Sequence, residues 1–314
     1  MLRLIVQRLL ALVPLLFIVS VLTFSFTSLL PGDPADLIIG DWGTQQQHEM
    51  VRERLGLNEP VVTRYFHWLG RAVHGDLGTS FFNSVEVTDA VMQRLPVTLS
   101  LTAVSALIAI IVGIAAGIAA ALNPRSWIDR VATLGATIGQ AIPNFWFGIL
   151  LVAVFAVGLR WFPATGFTPL ATSPAGWLRS ITLPSLALGL ASSAAIARQV
   201  RSAMVGVLQQ DYIRAARAQG LSARRVIFKH ALTNALVPVV AVLSFQITVL
   251  LGGALIVEQV FAINGLGTLA ITAVRRQDIP MIQGLVLVMV ALVVIVQLVT
   301  DLIYGFLNPK ARPS

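Results

Sequence analysis

Six long runs without a single charged residue constrain this chain more than any other feature. They are Leu9–Leu30, Val97–Leu122, Val131–Leu159, Ile181–Ala197, Ala231–Val257 and Ile279–Thr300. A bilayer core about 30 Å thick is crossed by about 20 apolar residues in a helix, and each run is near or above that length. The fourth is the shortest, and Arg198 and Arg201 at its end can snorkel to the interface. Helices are the form to expect, because single apolar strands would leave backbone groups unpaired in lipid. Composition agrees: only 11% of the 314 residues are charged. A soluble domain carries about a quarter, so this chain lacks the polar surface to remain in water. The expected fold class is an all-α integral membrane protein with six transmembrane helices.

Basic residues set the orientation. With the N-terminus inside, the inner segments hold Arg3, Arg8, Arg125, Arg130, Arg198, Arg201, Arg214, Arg217, Arg224, Arg225, Lys229, Lys310 and Arg312 against two acids, Asp129 and Asp211. The outer segments hold the other nine basic residues against 11 acids, leaving Asp301 at the inner end of the last span. Positive residues collect on the cytoplasmic side, so both termini are expected there. The formal charge of +8 follows from this topology and is no nucleic-acid signal. The first span exceeds a secretory h-region, and Leu30-Pro31-Gly32 is no small-residue cleavage site, so an uncleaved anchor is expected. The chain has no cysteine, which excludes disulfides, iron–sulfur clusters and thiol catalysis.

Three connections are informative. The outer one, residues 31–96, is too long to be a mere link. Within it Thr44–Leu55 and Val61–Val73 have helical composition, and Tyr65, Trp68, Leu69 and Ala72 form one apolar stripe. That stripe suits a helix at headgroup level, with Arg64, His67 and Arg71 toward water. The second outer connection, Arg160 to Ser180, carries Trp161 and Trp177 as interface anchors. The third is cytoplasmic, DYIRAARAQGLSARRVIFKHALTNALVP, residues 211–238. Tyr212–Gln219 consists of good helix formers, and Gly220 stands where a left-handed C-terminal cap is wanted. Ser222 is placed to N-cap a second helix running into the next span as far as Pro238. Ala215, Ala216 and Ala218 keep the first helix thin enough for another surface to approach. A basic loop bound only to lipid and water would explain the arginines, but not helix–Gly–helix with alanines.

Catalytic signatures are missing. Neither lysine, Lys229 or Lys310, follows a glycine, so there is no phosphate-binding loop of the G-x-x-x-x-G-K-[ST] type. His48, His67, His74 and His230 form no H-E-x-x-H pair, and no G-x-S-x-G element occurs. Only Glu258 and Asp301 lie at span edges, where capping or an interface position suits them, so energy for vectorial transport has to come from elsewhere. Gly113/Gly117 and Gly135/Gly139 make two G-x-x-x-G spacings, and Gly252-Gly253 interrupts the fifth span. These offer close helix packing within the bundle or against a partner membrane subunit.

At Asp211-Tyr212-Ile213-Arg214-Ala215-Ala216-Arg217-Ala218-Gln219-Gly220-Leu221-Ser222 the chain resembles the cytoplasmic "EAA" loop of binding-protein-dependent ABC importer permeases, in the form used by the peptide/nickel class. The likeness continues at Leu30-Pro31-Gly32-Asp33-Pro34, Leu55-Gly56-Leu57, His74-Gly75-Asp76-Leu77-Gly78, Arg94-Leu95-Pro96, Val257-Glu258-Gln259-Val260-Phe261 and Gly265-Leu266-Gly267. There are departures. The general pattern has Glu at Arg214 and Ile-x-Leu-Pro at His230-Ala231-Leu232-Thr233, where the peptide class places its proline later, as Pro238 is here. Ile263-Asn264 stands in place of Trp-Pro.

The resemblance implies a type I importer permease fold over a single domain, residues 1–314, with a long extracytoplasmic loop at 31–96 and an ATPase-coupling loop at 207–233. It also implies a non-catalytic chain in the bacterial plasma (inner) membrane and its partners: a second permease in a heterodimer, two ABC ATPase domains and an extracytoplasmic peptide-binding protein. Cofactors are expected on the partners alone, ATP and Mg2+ on the ATPases. Asp211, Tyr212, Arg214, Ala215, Ala216, Arg217, Gly220, Leu221, Ser222 and Arg225 would meet the ATPase. Asp33, Asp76 and Trp68 would meet the binding protein. The cargo would be an oligopeptide or dipeptide, with nickel or a metal chelate as the alternative within the class and a non-transporting scaffold as the alternative outside it.

Overall fold

A computed structural model describes residues 2–28, 34–39, 44–54 and 56–307. Asp33 lies outside them, as does most of the Leu30–Pro34 motif. The elements are α1 (Leu2–Ser28), α2 (Pro34–Ile39), α3 (Gln45–Arg54), α4 (Val61–Val73), α5 (Val87–Leu122), α6 (Trp127–Ala141) and α7 (Asn144–Leu151), followed by α8 (Pro174–Leu208), α9 (Asp211–Ala218), α10 (Ala223–Arg225), α11 (Leu232–Val260), α12 (Leu266–Arg275) and α13 (Ile279–Leu307). Two π-helical segments, Val152–Gly158 and Val226–Ala231, continue α7 and join α10 to α11. Among the described residues no strand forms beyond one isolated antiparallel bridge, Thr79 to Glu86.

Among the described residues four helices are long and apolar enough to cross a membrane: Val87–Leu122, Pro174–Leu208, Ala223–Val260 and Ile279–Gly305. The third apolar run is not the continuous helix that hydropathy suggests. It breaks between α6 and α7 with a bend of 103°. The cause is local. Pro143 has no N–H to give, and its ring pushes Ile142 out of the helical region to φ −84, ψ 123. The first apolar run is helical in α1, which continues unbroken from Leu2 to Ser28 with Pro14 inside it.

Two compact units result. One is built on Val97–Asn264 and centres on α8. That helix starts cleanly because Ser173 accepts from the Gly176 amide at 3.0 Å and Pro174 needs no amide partner in the first turn. Its Ala- and Ser-rich stretch then lets neighbours come close. A Cβ placed on Gly117 of α5 would lie 2.6 Å from the Val200 Cβ, and one on Gly113 would lie 2.7 Å from the Ile196 Cβ. The α5–α8 contact is thus nearly backbone to backbone. By contrast a Cβ on Gly135 meets nothing within 4 Å. On another side Leu188 of α8 approaches Gly253 of α11, 3.0 Å from where a Cβ would stand.

Glu258, expected at an interface, is instead fully buried, and the Thr98 hydroxyl donates to its Oε1 at 2.6 Å. A carboxyl group so enclosed needs such partners.

The other unit combines Gln7–Pro96 with Gly265–Val294. Here the stripe of α4 that carries Tyr65 and Trp68 packs inward. Both rings are buried against Phe24 of α1, and the Tyr65 hydroxyl bonds Ser20 Oγ at 2.8 Å. The large apolar residues that α4 leaves exposed are Val61, Val62, Phe66 and Val73. Residues 79–86 form a short loop pinned by Asp278, whose carboxylate accepts from Ser80 Oγ at 2.5 Å and from the Phe81 amide at 3.2 Å. Replacing Asp278 by alanine strands both donors. We expect faster proteolytic nicking within residues 79–86 and unchanged helix content, measurable by limited proteolysis beside circular dichroism.

Candidate functional site

The expected coupling stretch forms a helical hairpin at the end of α8. Gln210 takes an extended conformation (φ −71, ψ 148), and its carbonyl accepts from the amides of Ile213 and Arg214, starting α9. Asp211 in the first turn and Arg217 in the last complement the helix dipole. The helix stops in a Schellman motif. Gly220 sits at φ +77, its amide donates to the Arg217 carbonyl at 3.0 Å, and the Leu221 amide donates to the Ala216 carbonyl at 3.3 Å. A left-handed residue there reverses the chain in two residues and delivers it to α10. Ser222 adopts N-cap dihedrals and its carbonyl accepts from the Val226 amide at 3.1 Å, but its hydroxyl makes no cap bond. The backbone alone opens the second helix.

Burial sorts the expected residues. Ile213 and Ala216 point inward, 0% and 8% exposed, into a cluster with Val200 and Met204 of α8, Val226 and Ala231 of the π-helical turn, and Ala235 of α11. Ala216 is therefore a root of the hairpin, and a docking partner cannot reach it in this conformation. Of the expected contact residues, Asp211, Tyr212, Arg214, Ala215, Arg217, Gly220, Ser222 and Arg225 are exposed, and Leu221 is half-buried. Tyr212 is steadied by its hydroxyl, which accepts from Asn234 Nδ2 at 3.2 Å. Arg214 reaches Asp211 at 3.4 Å, but both side chains stand in solvent, so the pair adds little. α9 is thus rooted on both α8 and the start of α11.

Sequence reasoning missed the nearby contact between Asp129 and Arg201. Arg201, expected to snorkel, instead grips Asp129 with Nε at 2.5 Å and Nη2 at 2.8 Å. Asp129 also accepts from the Arg125 amide at 3.0 Å, while Ser126 caps α6 by accepting from the Asp129 amide at 3.3 Å. A bidentate fork of this kind is geometrically selective and ties the start of α6 to α8. The partners lie 72 positions apart, so no local pattern announces them. Asp129→Asn and Arg201→Ala should each lower the unfolding temperature in detergent. The double variant should lose no more than the worse single one, the signature of one shared interaction.

Asp76 is exposed, and its Oδ1 accepts from the Gly78 amide at 2.8 Å, an Asx turn that shapes the loop before α5. Trp68 is 6% exposed and turned into the chain, so as placed it gives a binding protein no surface. Its role is packing against α1.

Comparison with known proteins follows the same lines. Residues 113–313 match the family model described as binding-protein-dependent transport system inner membrane component. Residues 1–102 match the one described as binding-protein-dependent transport system membrane component, N-terminal. A putative peptide transport system permease protein of Brucella abortus (strain 2308) is 42% identical over 312 residues, 99% of each chain. Glutathione transport system permease protein GsiC of Escherichia coli (strain K12) is 43% identical over 312 residues, again 99% of each. Among solved structures, an inward-facing MetNI methionine ABC transporter shares the fold with TM-score 0.58 at 18% identity, over 70% of this chain and 96% of that one.

Proposed function

The chain belongs to the family of binding-protein-dependent transport system inner membrane components, and on that premise we propose that it is the permease of an ATP-driven importer of oligopeptides or dipeptides. It is a multi-pass protein of the inner membrane. The observation that carries the cargo class is the end-to-end likeness, over 99% of each chain, to relatives named for peptide and glutathione transport.

In this reading the whole chain acts as one permease domain crossing the membrane six times, with both termini cytoplasmic and residues 31–96 outside. It pairs with a second permease, and the translocation pathway runs between the two. An extracytoplasmic binding protein delivers the peptide to the outer loops, where Asp76 and Asp33 are candidate contacts. ATP and Mg2+ are held by two partner ATPase domains, and this chain performs no hydrolysis. The exposed face of α9, carrying Ala215 between Arg214 and Arg217, is the surface on which an ATPase seats. Closure of the ATPases then moves α8 and α11 through Ile213 and Ala216 and switches access across the membrane. The open face and buried root of α9 support this assignment.

Reconstitution tests the function. We expect proteoliposomes holding both permeases and the ATPases to hydrolyse ATP faster when peptide-loaded binding protein is added, and to accumulate the peptide. Uptake of nickel or its chelate without peptide would move the cargo to the metal branch of the class. Binding of partners with no solute movement would make the chain a scaffold.

A further inference from the structure

The break between α6 and α7 stands at residues 142–143, in the middle of a 29-residue uncharged run from 131 to 159. Backbone that is irregular at membrane depth is tolerated only where protein buries it or water reaches it. Protein of this chain does not bury it: Gln140, Ala141 and Pro143 are exposed, and Ile142 and Asn144 are half-exposed. The first amide of α7 with an acceptor at its own N-terminus is that of Phe147, bonded to the Pro143 carbonyl at 3.1 Å. The amides of Asn144, Phe145 and Trp146 precede the first possible intrahelical bond.

The helix leading to this break has two unlike exposed sides. Trp127, Val131, Leu134 and Ile138 make an apolar one. Arg130, Thr133, Thr137 and Gln140 make a polar one, at helical spacings of three and four. Thr137 can live beside lipid, because its hydroxyl donates to the Thr133 carbonyl at 2.9 Å. Gln140 cannot. Its carboxamide is exposed and bonds nothing among the described residues, and a primary amide in hydrocarbon costs on the order of several kcal/mol.

We propose that the Thr133–Thr137–Gln140 side of α6, with the open backbone at Pro143, lines the translocation pathway, and that Gln140 contacts the main chain of the moving peptide. This rests on the peptide-permease reading above. A carboxamide both donates and accepts, so it complements the C=O and N–H of a peptide bond in either direction. Being neutral and flanked by threonines, it reads backbone and leaves side chains unselected. Arg130, near the start of α6, is the one charge on that side.

Because the chain has no cysteine, a single introduced thiol is labelled without background from the rest of this subunit, and the subunit is read by itself on a gel. In the complete transporter, with its second permease, ATPases and binding protein, Thr137→Cys and Gln140→Cys should react with a charged methanethiosulfonate, while Leu134→Cys and Ile138→Cys should not. Peptide-loaded binding protein with ATP should change the rate at Gln140→Cys. Gln140→Leu should lower peptide uptake about tenfold, the worth of one hydrogen bond in a site closed to water, with ATP hydrolysis still stimulated; Gln140→Asn should lose less. The proposal is overturned if the apolar positions react and the polar ones stay silent, or if labelling ignores peptide in a transporter that takes peptide up. A parent transporter that moves no peptide overturns the functional reading itself, and the labelling pattern then has no peptide to respond to.

Discussion

Gly220→Val should abolish ATP-driven uptake while the transporter still assembles. The reason is conformational. A Cβ at Gly220 would meet nothing within 4 Å, so bulk by itself is harmless there. What valine cannot accept is φ +77, a left-handed conformation that costs an L-residue about 1–2 kcal/mol and a β-branched one more. The Schellman motif unwinds, Leu221 leaves the Ala216 carbonyl, and α9 loses its angle to α10. That penalty is small beside the stability of a membrane bundle but decisive for a surface that has to present one geometry. Gly220→Asn is the control, since asparagine tolerates the left-handed region; it should retain most uptake. Arg214→Ala should also be mild, because the guanidinium it removes only touches an exposed Asp211. The measurement is uptake per ATP hydrolysed in proteoliposomes. Loss in Gly220→Asn as severe as in Gly220→Val would remove φ as the cause.

A larger effect on the fold is expected at Gly117→Leu. A Cβ there would stand 2.6 Å from the Val200 Cβ and 2.7 Å from the Ala197 carbonyl oxygen, both on α8. The carbonyl is backbone and has no rotamer to yield. α8 cannot retreat either, because the Asp129–Arg201 pair and the Leu188–Gly253 contact hold it from other directions. Overpacking of this kind costs about 3 kcal/mol, with the leucine's remaining atoms adding strain. The expected readout is a lower unfolding temperature in detergent and little monodisperse protein. Gly135→Leu, on the other glycine spacing, meets open space and should behave like the parent. Equal damage at both positions would mean that α5 and α8 do not approach as closely as described.

The contrast between those glycine pairs shows where sequence stops informing. Both spacings are identical on paper, and only the neighbour across the helix separates them. Apolar runs gave the helices and their order, because length and hydropathy are local. The left-handed cap at Gly220 was legible for the same reason, since a run of helix formers followed by glycine has one economical geometry. The break at Pro143 was also legible in principle, because a proline disfavours helix at the residue before it, yet the high hydropathy on both sides masked it. What could not be read were contacts between distant segments. Trp68 was expected to face a binding protein, but Phe24 packs against it. Arg201 looked like a snorkelling end until Asp129 reached it. The three alanines of α9 looked equivalent, but Ile213 fixes which side is root, and Ala216 goes with it.

On that division of α9 into root and face rests the proposal that this chain is the passive membrane half of an importer worked through one short helix. The direct measurement is photo-cross-linking in the assembled transporter, from a benzophenone attached at Ala215→Cys and, separately, at Ala216→Cys. We expect capture of the ATPase subunit from position 215, changing with bound ATP, and none from position 216. Capture from 216 alone, or from neither position in a transporter whose ATP hydrolysis answers to loaded binding protein, would contradict it.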